Sequence, residues 1–101
     1  MGLDYSIDEL YATGWLALDT SDCEHAADGR IYPSVDRVKK EFAQTGRTLT
    51  IRQVDLFDCY RAEWTDDTGA PVGAVVGQSE AEAAVYALSQ FRRRQHAGAD
   101  A

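Results

Sequence analysis

Asp22-Cys23-Glu24-His25 sets a thiol, an imidazole and two carboxylates side by side, with Asp19 and Asp28 close in sequence. Thiolate and imidazole are ligands that zinc favours, and the Cys-x-His spacing supplies two of them, leaving Cys59 or an acid to complete a site. The paired cysteine knuckles of structural zinc sites are missing, and nothing in the sequence brings Cys59 to Cys23. The acids at 19, 22, 24 and 28 also miss the register of a calcium loop, because Gly29 comes last instead of mid-loop. The segment is therefore expected to be a solvated acidic loop, with a metal-binding loop at Cys23/His25 as an alternative.

Nucleophilic catalysis needs a Ser or Cys held by a base. The two histidines are His25, in a polar stretch, and His96, near the C-terminal end. No Gly-x-Ser-x-Gly elbow or phosphate loop occurs, and Ser79 is explained by helix capping. The acids around Cys23 work against a thiolate there. The carboxylate pairs Asp55/Asp58 and Asp66/Asp67 fall in turn-like segments, where Asp is expected for conformational reasons. The residues predict no enzyme and no cofactor. The remaining candidates are cations: Arg92, Arg93 and Arg94, with Lys39 and Lys40, could touch nucleic acid or an acidic partner. Arginines near a helix end are equally explained by the helix dipole.

Charge is unevenly placed along the chain. The first 29 residues hold seven acids and no Lys or Arg, so the whole net charge of −7 originates there. Such a segment disfavours nucleic acid and anionic membranes as its partners and suits a basic protein. At 101 residues, 45% hydrophobic and 27% charged, the chain has the size and composition of one globular domain. No apolar run approaches the roughly 18 residues that span a bilayer. The start reads as neither a secretory signal nor, despite a loose Met-Gly-x-x-x-Ser match, a myristoylation site. Two cysteines do not make a disulfide framework, and the expected setting is the reducing cytoplasm.

The elements that must position these residues follow from periodicity. Ser6-Ile7-Asp8-Glu9 has the form of a capping box, and Ile7, Leu10, Tyr11, Trp15 and Leu18 follow at helical spacing. One helix to about residue 18 is preferred over a helix ending at Thr13 with a short strand at 15–18. Residues 19–30 read as a loop. A second helix is predicted over 34–44, striped by Ile31, Val35, Val38 and Phe42 and closed by Gly46. The period then drops to two: Leu49 and Ile51 alternate with polar neighbours, as do Tyr60, Ala62 and Trp64, and residues 72–76 form a third apolar strand. Short links between them imply an antiparallel meander with one covered face. Ser79-Glu80-Ala81-Glu82 caps a last helix that buries Ala81, Ala84, Val85, Leu88 and Phe91. The expected fold is α+β, in the order α-α-β-β-β-α, with a three-stranded antiparallel meander packed on helices. It forms a single domain over 1–94, with an acidic helix and loop at 1–30 and a disordered tail at 95–101.

From residue 33 to 91 this order resembles the double-stranded RNA-binding domain. The closest local match is Gly73-Ala74-Val75-Val76-Gly77-Gln78-Ser79-Glu80-Ala81-Glu82-Ala83-Ala84, which is similar to that family's final strand, turn and Ala-rich helix. The resemblance implies phosphate-gripping lysines at the start of the last helix, where this chain has Glu80 and Glu82. It also implies a Gly-Pro-x-His contact between the first two strands, replaced here by Val54-Asp55-Leu56-Phe57-Asp58. Affinity for RNA rests largely on neutralising phosphates, so the fold is expected without its RNA site. The same strand-to-helix step, over residues 60–91, is similar to small antitoxin-type domains that bind a protein partner. The functional expectation is a non-catalytic protein-interaction or accessory module. Residual nucleic-acid binding at the basic end of the last helix is the alternative, and no membrane partner is expected.

Overall fold

In the computed structural model, which describes residues 2–16 and 21–99, the periodic segments resolve into eight main elements. They are α1 (Leu3–Ala12), β1 (Cys23–His25), β2 (Ile31–Pro33), α2 (Val35–Ala43), β3 (Thr48–Val54), β4 (Cys59–Thr65), β5 (Pro71–Gly77) and α3 (Glu80–Ala99). A single 3-10 turn, Asp55–Phe57, joins β3 to β4. The class is α+β, with an antiparallel pair β1-β2 and an antiparallel sheet ordered β3-β4-β5.

Alternation places the larger sheet's side chains as expected. Leu49 lies opposite Trp64, and Ile51 opposite Ala62, on the face that the helices cover. On the uncovered face Arg61 sits between Arg52 and Val76, and Glu63 between Thr50 and Ala74. The register steps between Trp64 and Thr65, leaving Val72 as a bulged residue whose carbonyl accepts a bond from Arg94 Nη1 at 3.0 Å. Gly73 stands opposite Trp64 because nothing larger fits: a Cβ there would lie 2.4 Å from the indole Cζ2. The indole consequently lies close over Gly73, and its ring packs 5.5 Å from Phe42, which stacks 4.7 Å from Phe91.

α3 is the central helix. Ala83, Ala84, Val85, Ala87, Leu88 and Phe91 are all buried, more than one face of a helix can present to a single layer. α3 packs on the sheet and α2, and α1 lies against it as well. Ile7 and Leu10 bring α1 into the same core at zero exposure, each side chain contributing roughly 1.5–3 kcal/mol of burial. α2 ends as its sequence predicts: Gly46 N–H donates to the Ala43 carbonyl and Arg47 N–H to that of Phe42, the two bonds of a Schellman closure.

The expected order α-α-β-β-β-α needs correction in four places. α1 begins at Leu3, with Gly2 as its cap and no side-chain capping bond, and Ser6 is a buried mid-helix residue. Leu3, half-buried against the core, extends the apolar stripe one turn upstream, and burial overrides the local capping pattern. The helix also stops at Ala12 instead of running to residue 18. Gly14 takes φ +83°, which a helix cannot continue through, and residues 17 and 18 lie outside the described residues. Residues 19–30 were expected to be a loop, yet 23–25 pair with 31–33 as a hairpin, with 19 and 20 outside the described residues. Asp28-Gly29 makes that turn: Gly29 N–H bonds the Ala26 carbonyl, and Ala26 N–H bonds that of Arg30. Finally, the expected disordered tail at 95–101 is helical through Ala99, since the residues after Phe91 include no proline and the run up to Ala97 favours helix, with Gly98 only at its very end. Residues 100 and 101 lie outside the described residues. Among the described residues, no helix is long and apolar enough to cross a membrane.

Candidate functional site

The β3–β4 connection has little room to hide side chains. Val54 closes β3, the 3-10 turn follows, and Asp58 takes a left-handed conformation (φ 50°), one that Asp tolerates better than most residues. A turn this tight points its middle residues outward, so Leu56 is 84% and Phe57 72% exposed. Val76, next to the end of β5, is 51% exposed. Few other large apolar residues of the described chain stand as far out of the core.

Across from this turn β5 passes into α3. Ser79 Oγ accepts from Glu82 N–H at 3.1 Å, while Glu82 Oε2 accepts from Gln78 N–H at 3.1 Å. These reciprocal bonds fix the start of α3. Gly77 lets the helix come down on the strand, since a Cβ there would lie 2.6 Å from the Ala83 nitrogen. Between the turn and this junction runs a groove of about 720 Å³. Phe57 and Val76 supply its apolar lining, Gly77 and Gln78 part of its floor, and Asp58, Cys59 and Glu82 its titratable groups. No Lys or Arg lines it.

No protein family, curated protein or solved structure matches this chain.

The residues singled out by chemistry lie elsewhere and serve other contacts. Cys23 and His25 share β1, with Cys23 half-buried and His25 exposed. Arg37 Nη1 comes within 3.9 Å of Cys23 Sγ. Cys59 belongs to the other sheet, and neither cysteine forms a disulfide. No three His, Cys, Asp or Glu side chains converge as a metal group among the described residues.

The candidate cations are likewise dispersed. Lys39 is exposed on α2. Lys40 pairs with Asp22 at 2.9 Å, and that hydrogen bond raises its pKa. Arg92 donates from Nε to Thr13 Oγ1 at 2.8 Å and from Nη2 to the Thr13 carbonyl at 3.3 Å, closing the end of α1. Arg93 pairs with Glu9, and Arg94 holds the Val72 bulge. The three arginines therefore reach three different partners, and they precede the last turn of α3 instead of forming it.

The acids of the front segment are the counterparts of these contacts. Arg30 gathers Asp8, Asp28 and, at 3.9 Å, Asp4, tying the hairpin to α1. Bonds from the Arg30 backbone and side chain lower the Asp28 pKa. Glu24 accepts from Tyr32 Oη at 3.2 Å across the hairpin, and burial followed by that carboxylate raises the tyrosine's pKa. In the sequence, Asp55 and Asp58 mark 55–58 as a turn, and Leu56 and Phe57 are not among the candidate binding residues. The available signal was two adjacent large apolar residues where the alternation breaks, which no two-faced strand can bury together.

Proposed function

We propose that this chain is a small non-catalytic protein-interaction module that engages a partner through the edge formed by Leu56, Phe57 and Val76. One observation carries the proposal: Phe57 and Val76 stand exposed along one groove with the exposed Leu56 next to Phe57 in the turn, while Trp64, Phe42, Phe91 and Leu88 fill the core. Leaving a Phe or Leu in water forgoes roughly 1.5–3 kcal/mol that burial would return, and a partner surface supplies that burial. A cytoplasmic setting fits two thiols in separate sheets with no disulfide between them. The order α2, β3, β4, β5, α3 supports the resemblance to the double-stranded RNA-binding domain, with Glu80 and Glu82 at the helix start that would face phosphates. The intramolecular partners of Lys40, Arg92, Arg93 and Arg94 weigh against nucleic acid as the natural ligand.

Site-specific photo-crosslinking in the source cells tests the reading. A photoreactive residue at position 57 should yield a discrete protein adduct, and one at the exposed Lys39 should not. Equal adducts from both positions, or none from position 57, would overturn it.

A further inference from the structure

We infer that the occupant of the groove is a segment of a partner protein that presents a large apolar side chain next to lysine or arginine. This rests on the docking reading above and adds the partner's chemistry to it. The apolar half of the match is Phe57 and Val76 in the groove, with the exposed Leu56 beside Phe57 in the turn. The polar half is acidic: Asp58 and Glu82 line the groove without any Lys or Arg, the exposed Asp55 and Glu80 lie close to them in sequence, and Arg61, opposite Val76, is paired with Glu63 at 3.0 Å. Glu82 already accepts from Gln78 N–H, so it contributes charge more than an open hydrogen-bonding site. The arginine run on α3 begins about 18 Å further along the helix, at ~1.5 Å per residue, and is held by α1 and the β5 bulge.

Magnitudes assign the two halves different tasks. An exposed ion pair contributes little, whereas a well-buried aromatic anchor carries more. The apolar contact therefore sets affinity, and the carboxylates select the sign of the partner's charge. That selection also ranks the other occupants. Phosphates would meet Asp58 and Glu82, and a second copy docked turn to turn would bring the same acids against each other.

Amide NMR of the full chain at low salt, titrated with three short peptides, tests the inference. One peptide alternates Lys with Leu, one Glu with Leu, and one Lys with Ser. The Lys/Leu peptide should shift amides at 55–59 and 76–82, and the other two should not. Leu56→Ser with Phe57→Ser should weaken that binding about tenfold, as loss of an interface anchor does. Asp58→Asn with Glu80→Gln should weaken it severalfold, and added salt should do the same. Both pairs leave the core and the Glu82 cap intact. Equal shifts from the Glu/Leu peptide would overturn the cationic chemistry while leaving the docking reading standing. Equal shifts from the Lys/Ser peptide would overturn the apolar anchor and with it that reading. Shifts confined to other residues, or no shifts from any peptide, would remove the groove as a docking site.

Discussion

At position 73 a single methyl group decides whether Trp64 keeps its place. Alanine there would put Cβ 2.4 Å from the indole Cζ2, and Trp64, at 1% exposure, has no space to retreat into. Gly73→Ala should cost about 1–3 kcal/mol, as overpacking of a tight core does, and urea unfolding would measure it. An unchanged midpoint would mean that the indole can shift. Asp66 works on the surface by a different route. Its Oδ1 accepts from Thr68 Oγ1 at 2.6 Å, Thr68 N–H at 2.9 Å and Ala70 N–H at 3.0 Å, bonds that hold its pKa below the ordinary carboxylate value. Stability from a lowered carboxyl is fully present above the unfolded pKa of about 3.9 and is lost as pH falls through the folded value. Asp66→Asn should therefore melt below wild type at neutral pH, with the gap closing below about pH 3 in thermal melts followed by circular dichroism. A gap independent of pH would show that shape alone holds the turn.

α1 is an integral element of the core and not a removable cover, because its apolar side chains and its ion pairs act at different strengths. Ile7→Ala or Leu10→Ala should cost about 2–5 kcal/mol by opening a cavity against α3. Glu9→Gln, which breaks the exposed pair with Arg93, should cost under about 1 kcal/mol. Chemical denaturation of the three variants would check the ranking, and a costly Glu9→Gln would reverse it. The same contrast explains what the sequence could reveal about the elements. The Ser79 box is legible because β5 ends at Gly77 and leaves the helix start to local bonding. An equivalent pattern at Ser6 misleads because Leu3 extends the buried stripe past it. The three-residue strands of the hairpin are too short to display alternation, and only Asp28-Gly29 marked their turn. The five-element pattern from residue 34 onward was readable because its strands run seven residues each with one buried face.

Over the whole molecule, charge that looks one-sided in the sequence becomes an internal fastening. Asp4, Asp8 and Asp28 meet Arg30, Glu9 meets Arg93, and Asp22 meets Lys40, so the acidic front and the basic remainder are joined across the fold. Linear order conceals this pairing, because the partners of Glu9, Asp4 and Asp8 lie far along the chain. Duplex RNA titrated at low salt should leave the amides of residues 39, 40 and 92–94 unmoved. Shifts there would restore nucleic acid as a ligand. The groove escaped notice in the sequence for a related reason: it is assembled from a turn near 57 and a helix start near 80 that only the sheet brings together.

The two indoles report on separate parts of this assembly. Trp64 is sealed in the sheet–helix core, with its ring nitrogen meeting no acceptor. Trp15 sits just beyond α1 and directs its Nε1–H at both Glu41 oxygens, 3.2 and 3.3 Å away. The chain thus has two built-in emitters in unlike polarity, one at its centre and one at the junction of α1 with α2. With Trp15 replaced by Phe, fluorescence would follow the melting of the centre alone, and comparison with the parent would time the detachment of the front segment from it.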